Sequence, residues 1–323
     1  MEKELLRLEN ETDFEYKFRM CMAKLSKKIK LEWDEIAELI GEDCSGDHLR
    51  KTAYGMKEYH EYISNKDGVA TRILSISDSH VPFNLPVSTF IQYANKVDVL
   101  QLNGDILDMQ SISKFPKTYR VSVMEEMIQG RQYIIDLIEL IKPKRVVINY
   151  GNHEIRFSAY ISKNIDTDLL ELMPQTALDL ICDDGFHHYD KRNKCKVWYE
   201  PLSEVFSDID FEYTKDWKCK IGKTIFCHPS AFSSGMMKTA EKAMQYFLTQ
   251  DRNFESLVMS HTHQIGKYVK GGITLYEQGT TSDTSKQSYT DGRLYNPQQM
   301  GYLYMCQDKD GNVIDDKTKL IIL

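Results

Sequence analysis

The chain has 323 residues and a formal net charge of −7, with 41% hydrophobic and 28% charged residues. This composition is ordinary for a globular protein with one large domain or two smaller ones, and it excludes a chain that is basic throughout for nucleic-acid binding. No apolar run in the sequence approaches the ~20 residues of a membrane span, and the N-terminus lacks the apolar region of a signal peptide. Seven cysteines without a C-x-x-C pair favour reduced thiols in a cytoplasmic protein.

Residues 1–66 are predicted to form a small helical domain. Apolar residues recur at three- and four-residue steps from Phe14 to Ile29, which predicts a first helix. A second short helix over 33–41 is followed by a tight turn and a third helix, and this pair resembles a helix-turn-helix. Residues 64–68 have the composition of a linker. The second domain is therefore predicted over 67–323.

Strands alternating with helices are predicted for the second domain. Buried strands are expected over 72–76, 97–102 and 145–150, with an amphipathic helix over 124–141. This alternation predicts an α/β domain with a largely parallel sheet covered by helices. Shorter elements are expected beyond residue 205: strands at 218–221, 224–227, 256–259 and 272–276, a helix near 236–249, and a hairpin around 310–311.

Polar clusters follow the three early strands at the points where those strands end. They are D-x-H at 78–80, G-D-x-x-D at 104–108 and G-N-H-E at 151–154. Two later strands end in His228 and in H-x-H at 261–263. Ligands of α/β sheets gather at the carboxyl ends of the strands, so the five clusters are expected to meet in one place.

The residue types in these clusters are those of a metal site. Carboxylates, a side-chain amide and several imidazoles suit Mn, Fe or Zn ions, and five of the nine histidines of the chain fall in the clusters. Taken singly, each motif also fits ordinary turn chemistry. The prediction depends on all five motifs occurring together, each directly after a strand.

The ordered set D-x-H, G-D-x-x-D, G-N-H-E, H and H-x-H resembles the calcineurin-like metallophosphoesterase superfamily over about residues 72–280. The resemblance implies a four-layer α/β/β/α sandwich that holds two divalent metal ions, Mn before Fe or Zn. The ligands that it implies are Asp78, His80 and His263 for one ion, Asn152, His228 and His261 for the other, and Asp105 as the bridge between them.

The resemblance also implies a reaction, the hydrolysis of a phosphoester by a metal-bridging hydroxide. His153 would protonate the leaving group, and Asp108 would hydrogen-bond His153 and fix its orientation. Superfamily members commonly have Gly before H-x-H, where this chain has Ser260. That position is expected to supply backbone only.

Three readings of the activity are kept open, from different classes of protein. The protein Ser/Thr phosphatases of the superfamily carry arginines where this chain has Met109 and Tyr150, which disfavours that branch. G-D-I-L-D is closer to the repair-nuclease subunits for double-strand breaks, and the tail at 295–302 resembles phage- and prophage-encoded relatives labelled DNA exonucleases. A phosphodiesterase or DNA nuclease is thus predicted first and a phosphomonoesterase second. A binding module with vestigial catalysis is third, since the ligand set is complete.

The sequence leaves the role of the N-terminal domain open. Its first helix is locally basic, but residues 31–66 hold nine acidic and four basic residues. A domain that binds in a groove of DNA is usually basic. The domain is therefore expected to contact DNA or to serve in packing or homo-oligomerisation. Candidates for the lining or rim of the substrate cleft are Tyr150, Arg156, Lys163, Arg192, Tyr289, His187 and His188.

Overall fold

The structure is a computed structural model that describes residues 5–8, 11–66, 68–114, 121–163, 165–286 and 298–323. The chain divides into two compact units, Met1–Gly68 and Val69–Leu323. Tyr289 and residues 295–297 of the tail motif lie outside the described residues. None of the helices in the described ranges is both long enough and apolar enough to cross a membrane.

The described residues of the unit Met1–Gly68 form three helices, α1 (Asp13–Leu25), α2 (Trp33–Leu39) and α3 (Gly46–Lys66). α1 ends at Leu25, earlier than predicted, and Ile29 is buried in the segment that follows the helix. α3 continues through residues 64–66, so the linker predicted there is wrong in that part. The buried side chains that join the three helices include Tyr16, Met20, Cys21, Ile36, Ala37, Leu49 and Ala53.

The unit Val69–Leu323 contains thirteen strands and six helices among its described residues. In chain order they are β1 (Thr71–Ile76), β2 (Val99–Asn103), α4 (Val123–Ile141), β3 (Arg145–Asn149), α5 (Arg156–Ile161), α6 (Thr167–Leu170), α7 (Ala177–Asp179), β4 (Phe186–Asp190), β5 (Cys195–Tyr199), α8 (Leu202–Val205), β6 (Asp210–Tyr213), β7 (Lys218–Ile221), β8 (Thr224–Cys227), α9 (Lys238–Leu248), β9 (Ser256–Met259), β10 (Ile265–Lys270), β11 (Ile273–Gln278), β12 (Gly301–Gln307) and β13 (Lys319–Ile322). Short 3₁₀ segments lie at Val87–Tyr93, Gln110–Ile112 and Thr284–Lys286, and a π-helical turn lies at Leu180–Asp184.

Two sheets form the centre of this unit. The first has the strand order β13-β12-β1-β2-β3-β6, with β1, β2, β3 and β6 parallel and β12 antiparallel to its neighbours. The second has the order β10-β11-β9-β8-β7, with β8, β9 and β11 parallel. β4 and β5 form a separate antiparallel hairpin. The predicted α/β class and the parallel β1–β2–β3 series are confirmed.

Alternation of side chains along the strands produces four layers. On β1, Leu74 belongs to the apolar cluster that includes α4, whereas Ile73 belongs to the cluster that joins the two sheets. On β8, Phe226 lies in the cluster between the sheets and Ile225 lies in the cluster that includes α9. Because successive side chains of a strand point to opposite faces, both faces of each sheet are covered. The order helix, sheet, sheet, helix confirms the predicted α/β/β/α sandwich.

Several elements were absent from the prediction, namely the β4–β5 hairpin, β6, β10 and the short helices between β3 and β6. The hairpin predicted around 310–311 is present: Asp308 N–H donates to the Asn312 carbonyl oxygen at 2.9 Å, and Gln307 pairs antiparallel with Val313. β12 and β13 also pair antiparallel, and residues 308–318 connect them. The strands that carry the polar motifs were predicted to within two residues at each end. The sheets therefore place those motifs where the sequence predicted them.

Candidate metal centre

Five strands of the two sheets direct their carboxyl ends to one place. Asp78 follows β1, Asp105 follows β2 and His153 follows β3, while His228 follows β8 and His261 follows β9. Three groups of side chains have potential ligand atoms that all lie within 4.8 Å of one another: Asp78, His80 and His263; Asp105, His228 and His261; and His80, Asp108 and His153. The first two groups correspond to the two ligand sets predicted from the sequence, apart from Asn152.

The first group is built around the Asp78 carboxylate. His263 Nε2 lies 3.1 Å from Asp78 Oδ1, and His80 Nε2 lies 3.9 Å from the same oxygen. The two imidazole Nε2 atoms are 3.0 Å apart. Two nitrogens bound at ~2.1 Å to one ion, at a right angle, would lie about 3 Å apart, so this spacing suits two ligands of a single metal ion. All three residues are buried.

The second group is built around the Asp105 carboxylate. His228 Nε2 lies 3.1 Å from Asp105 Oδ2 and 3.8 Å from Asp78 Oδ1, so its ring stands between the two carboxylates. His228 Nδ1 lies 2.8 Å from the Asn103 carbonyl oxygen, and donation to that oxygen leaves the Nε2 lone pair for a metal ion. The His261 ring meets the His228 ring edge-on at 5.5 Å between centroids. The Asp105 side chain is thus next to ligand candidates of both groups.

The charges of the centre shift one another's pKa values. Burial opposes a charged imidazole at His228, but the Asp105 and Asp78 carboxylates outweigh it and raise the pKa of His228 to about 10. Burial, together with repulsion from His228, lowers the pKa of His261 to about 4. Burial alone would raise the pKa of Asp105, yet His153 and His228 hold it well below its usual value. Without a metal ion, the carboxylates therefore hold a proton on His228.

Several polar atoms of the centre are buried and make no hydrogen bond of good geometry among the described residues, although Asp78 Oδ1 and His228 Nε2 each lie 3.1 Å from an oppositely charged group. These atoms are Asp78 Oδ1, His80 Nδ1, Asn152 Oδ1, His228 Nε2 and His263 Nδ1. A buried polar atom that lacks a partner costs about 1–3 kcal/mol, and native proteins contain few of them. Five such atoms at one place fit the binding of cations, and the donor set of carboxylate, amide and imidazole suits divalent transition metals.

Backbone strain is also concentrated here. Asp78, His80, Asp105, His261 and His263 all have positive φ angles, between 47° and 88°. Positive φ is uncommon for residues other than glycine and costs of the order of 1–3 kcal/mol. Such strain persists where the surrounding structure enforces it, and it clusters at functional sites. The strained conformations bring neighbouring ligand candidates of one loop, such as Asp78 and His80, to the same centre.

His153 and Asp108 lie beside the first group, at the edge of the centre. His153 Nδ1 is 2.9 Å from the Asp108 carbonyl oxygen and 3.2 Å from Asp108 Oδ1. The same carboxylate oxygen lies 3.4 Å from His80 Nδ1, so Asp108 faces both imidazoles. Arg156 donates to His153 Nε2 at 2.7 Å and to the Asp108 carbonyl oxygen at 2.7 Å. The sequence did not predict this contact, because it depends on the position of α5.

Glu154, the last residue of G-N-H-E, has a role that the sequence analysis did not assign. Its buried carboxylate accepts hydrogen bonds from the backbone N–H groups of Asp105 at 3.0 Å, Leu107 at 3.0 Å and Gly151 at 2.8 Å. It therefore joins the loop after β2 to the loop after β3. A Cβ atom at Gly151 would overlap the Asp105 carboxylate, which explains a glycine at this close approach.

A chain of buried polar side chains lies beneath the centre, between the two sheets. Gln101 donates to Asn149 at 2.7 Å, Asn149 to Asn103 at 3.0 Å, and Asn103 to the Ser260 hydroxyl at 2.8 Å. Gln278 also donates to Ser260, at 3.1 Å. The expectation that position 260 supplies only backbone is thus wrong, because its hydroxyl joins the two sheets below the ligand loops.

The remaining cleft candidates are dispersed. Tyr150 is half-buried directly after β3, and Lys163 is exposed beyond α5. Arg192 lies in the turn of the β4–β5 hairpin, where the His187 ring contacts the Trp198 ring at 4.5 Å between centroids. His188 lies on the opposite, half-buried face of β4. Of this set, only Arg156 contacts the group around His153 in the described structure.

No protein-family model and no curated protein matches the sequence. Among solved structures, Vacuolar Protein Sorting 29 of Cryptosporidium parvum is 14% identical, with 79% of this chain and 98% of that chain covered and a TM-score of 0.37. A predicted phosphoesterase of Streptococcus pneumoniae is 12% identical, with 78% and 98% covered and a TM-score of 0.31. An archaeal phosphodiesterase is 12% identical, with 78% and 99% covered and a TM-score of 0.35. Values this low carry no inference about activity or partners.

Proposed function

We propose that this chain hydrolyses phosphoesters with the aid of two divalent metal ions, Mn²⁺ before Fe or Zn. The observation that carries the proposal is that five strand ends meet at a buried set of Asp, His and Asn side chains, several atoms of which make no hydrogen bond in the described structure. Asp78, His80 and His263 would hold one ion. Asn152, His228 and His261 would hold the other, with Asp105 between them. A vestigial binding module gives no reason to keep strained, unpaired ligand atoms, which disfavours that alternative.

The chain's own residues would orient the reactants. The metal ions would supply positive charge to the phosphate oxygens and lower the pKa of a water molecule to near neutrality. Glu154 holds the backbone on both sides of Asp105, and the Asn103 carbonyl fixes the ring of His228. Hydrogen-bonded supports of this kind keep ligand orientation and typically change activity or metal affinity 10- to 100-fold when removed.

His153 is proposed as the proton donor to the leaving oxygen. Its Nδ1 atom is held by Asp108, which leaves Nε2 as the atom that can face a substrate. Arg156 donates to that Nε2 atom. Exchange of Arg156 from His153 to a phosphate oxygen on substrate binding would place a guanidinium against the developing charge. It would also free Nε2 to take up a proton from water, which His153 would then deliver to the leaving oxygen.

We assign the substrate to the phosphodiesters of DNA, and the β4–β5 hairpin supports this choice. His187 pairs with Trp198 and Tyr189 with Lys196 across the two strands, and all four side chains lie on one exposed face. Lys191, Arg192 and Lys194 add exposed cations at the turn, and none of the hairpin cations has a salt bridge to a carboxylate in the described ranges. Exposed aromatic rings between cations suit single-stranded nucleic acid.

The helical unit, Met1–Gly68, offers less support for DNA contact. Lys17 pairs with Glu42 at 2.7 Å, Arg19 with Glu11 at 2.7 Å, and Arg50 with Asp47 at 2.7 Å. Cations that already face carboxylates gain less from phosphates than free ones do. We therefore place DNA contact on the hairpin and assign the helical unit to packing or oligomerisation.

A phosphomonoesterase is the second candidate, because the Arg156 guanidinium lies where it can reach a doubly charged phosphate. The test is a direct comparison of single-stranded DNA and para-nitrophenyl phosphate as substrates of the Mn²⁺-loaded protein. The proposal predicts DNA cleavage that Asp105→Ala removes. It also predicts that Trp198→Ala slows DNA cleavage but leaves a small phosphodiester unaffected. Turnover of the monoester alone would favour the second candidate, and no turnover of either would contradict the proposal.

A further inference from the structure

A cavity of about 330 Å³ adjoins the candidate metal centre on the side of the second sheet. Its volume falls at the lower end of the range of small-molecule sites. The lining residues that matter here are Trp217, Pro229, Phe232, Thr239, Lys242 and Tyr246. No residue proposed as a metal ligand lines it, so this cavity is separate from the ligand set.

Three contacts connect the cavity to the centre. Pro229 directly follows His228 in the chain. The Trp217 carbonyl oxygen accepts a hydrogen bond from the His228 backbone N–H at 2.8 Å. The Phe232 ring meets the His261 ring nearly perpendicularly, with 6.3 Å between centroids. A molecule whose phosphate lies at the centre can therefore extend its other end into the cavity.

The walls of the cavity are aromatic and accessible. Tyr246 is 46% exposed and Phe232 is 52% exposed, although folding favours burial of such large apolar side chains. The Trp217 and Tyr246 rings lie 5.7 Å apart at an angle of 50°. Flat aromatic surfaces of this kind bind another flat ring by stacking.

Polar groups at the cavity can donate hydrogen bonds to acceptor atoms on the edge of a bound ring. The Thr239 hydroxyl accepts from the Ser233 backbone N–H at 3.0 Å, so its own hydrogen stays available to donate. Lys242 is exposed and has no salt bridge to a carboxylate in the part of the chain that the structure describes. A nucleobase offers several acceptor atoms to such donors, whereas a phenol ring offers a single oxygen.

We infer that this cavity binds the nucleobase of a nucleotide whose phosphate occupies the candidate metal centre. The inference rests on the proposed function and names the substrate class of the same site. It assigns Phe232, Tyr246 and Trp217 to stacking and Thr239 and Lys242 to the ring edge. The nucleotide to be cleaved is then selected by its base as well as by its phosphate.

Calorimetric titration of the full chain with Mn²⁺ present tests this inference. Adenosine 5′-monophosphate and ribose 5-phosphate share the sugar and the phosphate, so their difference in affinity measures the contribution of the base. Base–aromatic stacking predicts about 5- to 150-fold tighter binding of the nucleotide. Equal affinities, or no binding of either compound, would overturn the inference.

Two tyrosines provide a matched pair of variants. Tyr246, which lines the cavity, and Tyr268 on β10 are both 46% exposed. Tyr246→Ala should bring the affinity for adenosine 5′-monophosphate close to that for ribose 5-phosphate without changing the latter. Tyr268→Ala should leave both affinities as they are. Equal behaviour of the two variants would show that the cavity does not bind the base.

Phosphotyrosine serves as the competing occupant in the same titration. If its affinity depends on Tyr246 and that of adenosine 5′-monophosphate does not, the cavity selects a phenol ring and the nucleobase assignment is wrong. Measurements of binding and of turnover also distinguish this inference from the proposed function. Phosphoester hydrolysis without a preference for the base overturns only this inference. A preference for the base without any hydrolysis overturns only the proposed function.

Discussion

The helical unit and the candidate metal centre differ in how their polar groups are paired. In the helical unit, Arg19 pairs with Glu11, and Thr12 and Glu15 cap α1 through reciprocal hydrogen bonds. In the candidate metal centre, Asn152 Oδ1 and His263 Nδ1 are buried without a hydrogen-bond partner in the described structure. The first region follows the rules that stabilise a fold, whereas the second violates them at one place. The difference indicates that stability determines the first region and ligand binding determines the second.

Asp105→Ala should cause the largest loss of turnover and of bound metal. Its carboxylate lies 3.1 Å from His228 Nε2, and its other oxygen accepts from the His153 backbone N–H at 2.8 Å. Because it stands between both proposed metal positions, its loss should remove essentially all turnover and reduce bound metal. Elemental analysis and DNA cleavage would measure this. Asp98→Ala, at the other end of β2, is the control and should keep both properties; an Asp105→Ala protein with full metal and activity would show that Asp105 is not the bridge.

His153→Ala should reduce turnover strongly while metal content stays nearly constant. A positioned general acid typically contributes ~10²–10⁴-fold, so a loss of that size is expected for an ester with a poor leaving group. An ester with an activated leaving group needs no proton and should lose much less. Steady-state rates on both esters check this, with the exposed His48→Ala as control. Equal losses on both esters would mean that His153 positions the substrate and does not donate the proton.

Metal affinity should weaken as the pH falls. Asp105 and Asp78 raise the pKa of His228 from 6.5 to about 10, so the folded protein without metal carries a proton there at neutral pH. This proton adds stability to the metal-free fold below pH 6.5, and that stability is lost as the pH rises through 10. Binding a metal ion must displace the proton, so affinity should fall about tenfold per pH unit lowered. Competition with a chelator at two pH values measures the slope; a pH-independent affinity would contradict it.

Thr12→Ala should have the smallest effect and only on the helical unit. The Thr12 side chain accepts from the Glu15 backbone N–H at 3.2 Å at the start of α1. Loss of such a cap costs about 1 kcal/mol of unfolding free energy. Thermal unfolding should reveal the destabilisation, while turnover of a small phosphodiester should not change. A matching loss of turnover would show that the helical unit supports the chemistry and that the two regions do not act independently.

The sequence predicted the parts of the fold that local patterns specify. Buried runs such as 72–76 and 145–150 predicted strands, and each motif after a strand predicted where its side chains lie. The β4–β5 hairpin was missed because its exposed face carries histidine, lysine and aromatic residues and its turn contains no glycine. The contact of Arg156 with His153 and the hydrogen bonds of Ser260 were missed because they join segments that meet only in the folded chain.

The metal content of the intact protein decides whether the candidate centre holds two ions. Elemental analysis of a well-folded sample, loaded with excess Mn²⁺ and freed of unbound ions, counts the ions per chain. The buried ligand atoms of Asp78, Asn152 and His228, with the Asp105 carboxylate between the two groups, predict close to two. One ion or none under these conditions would contradict a centre of two metal ions.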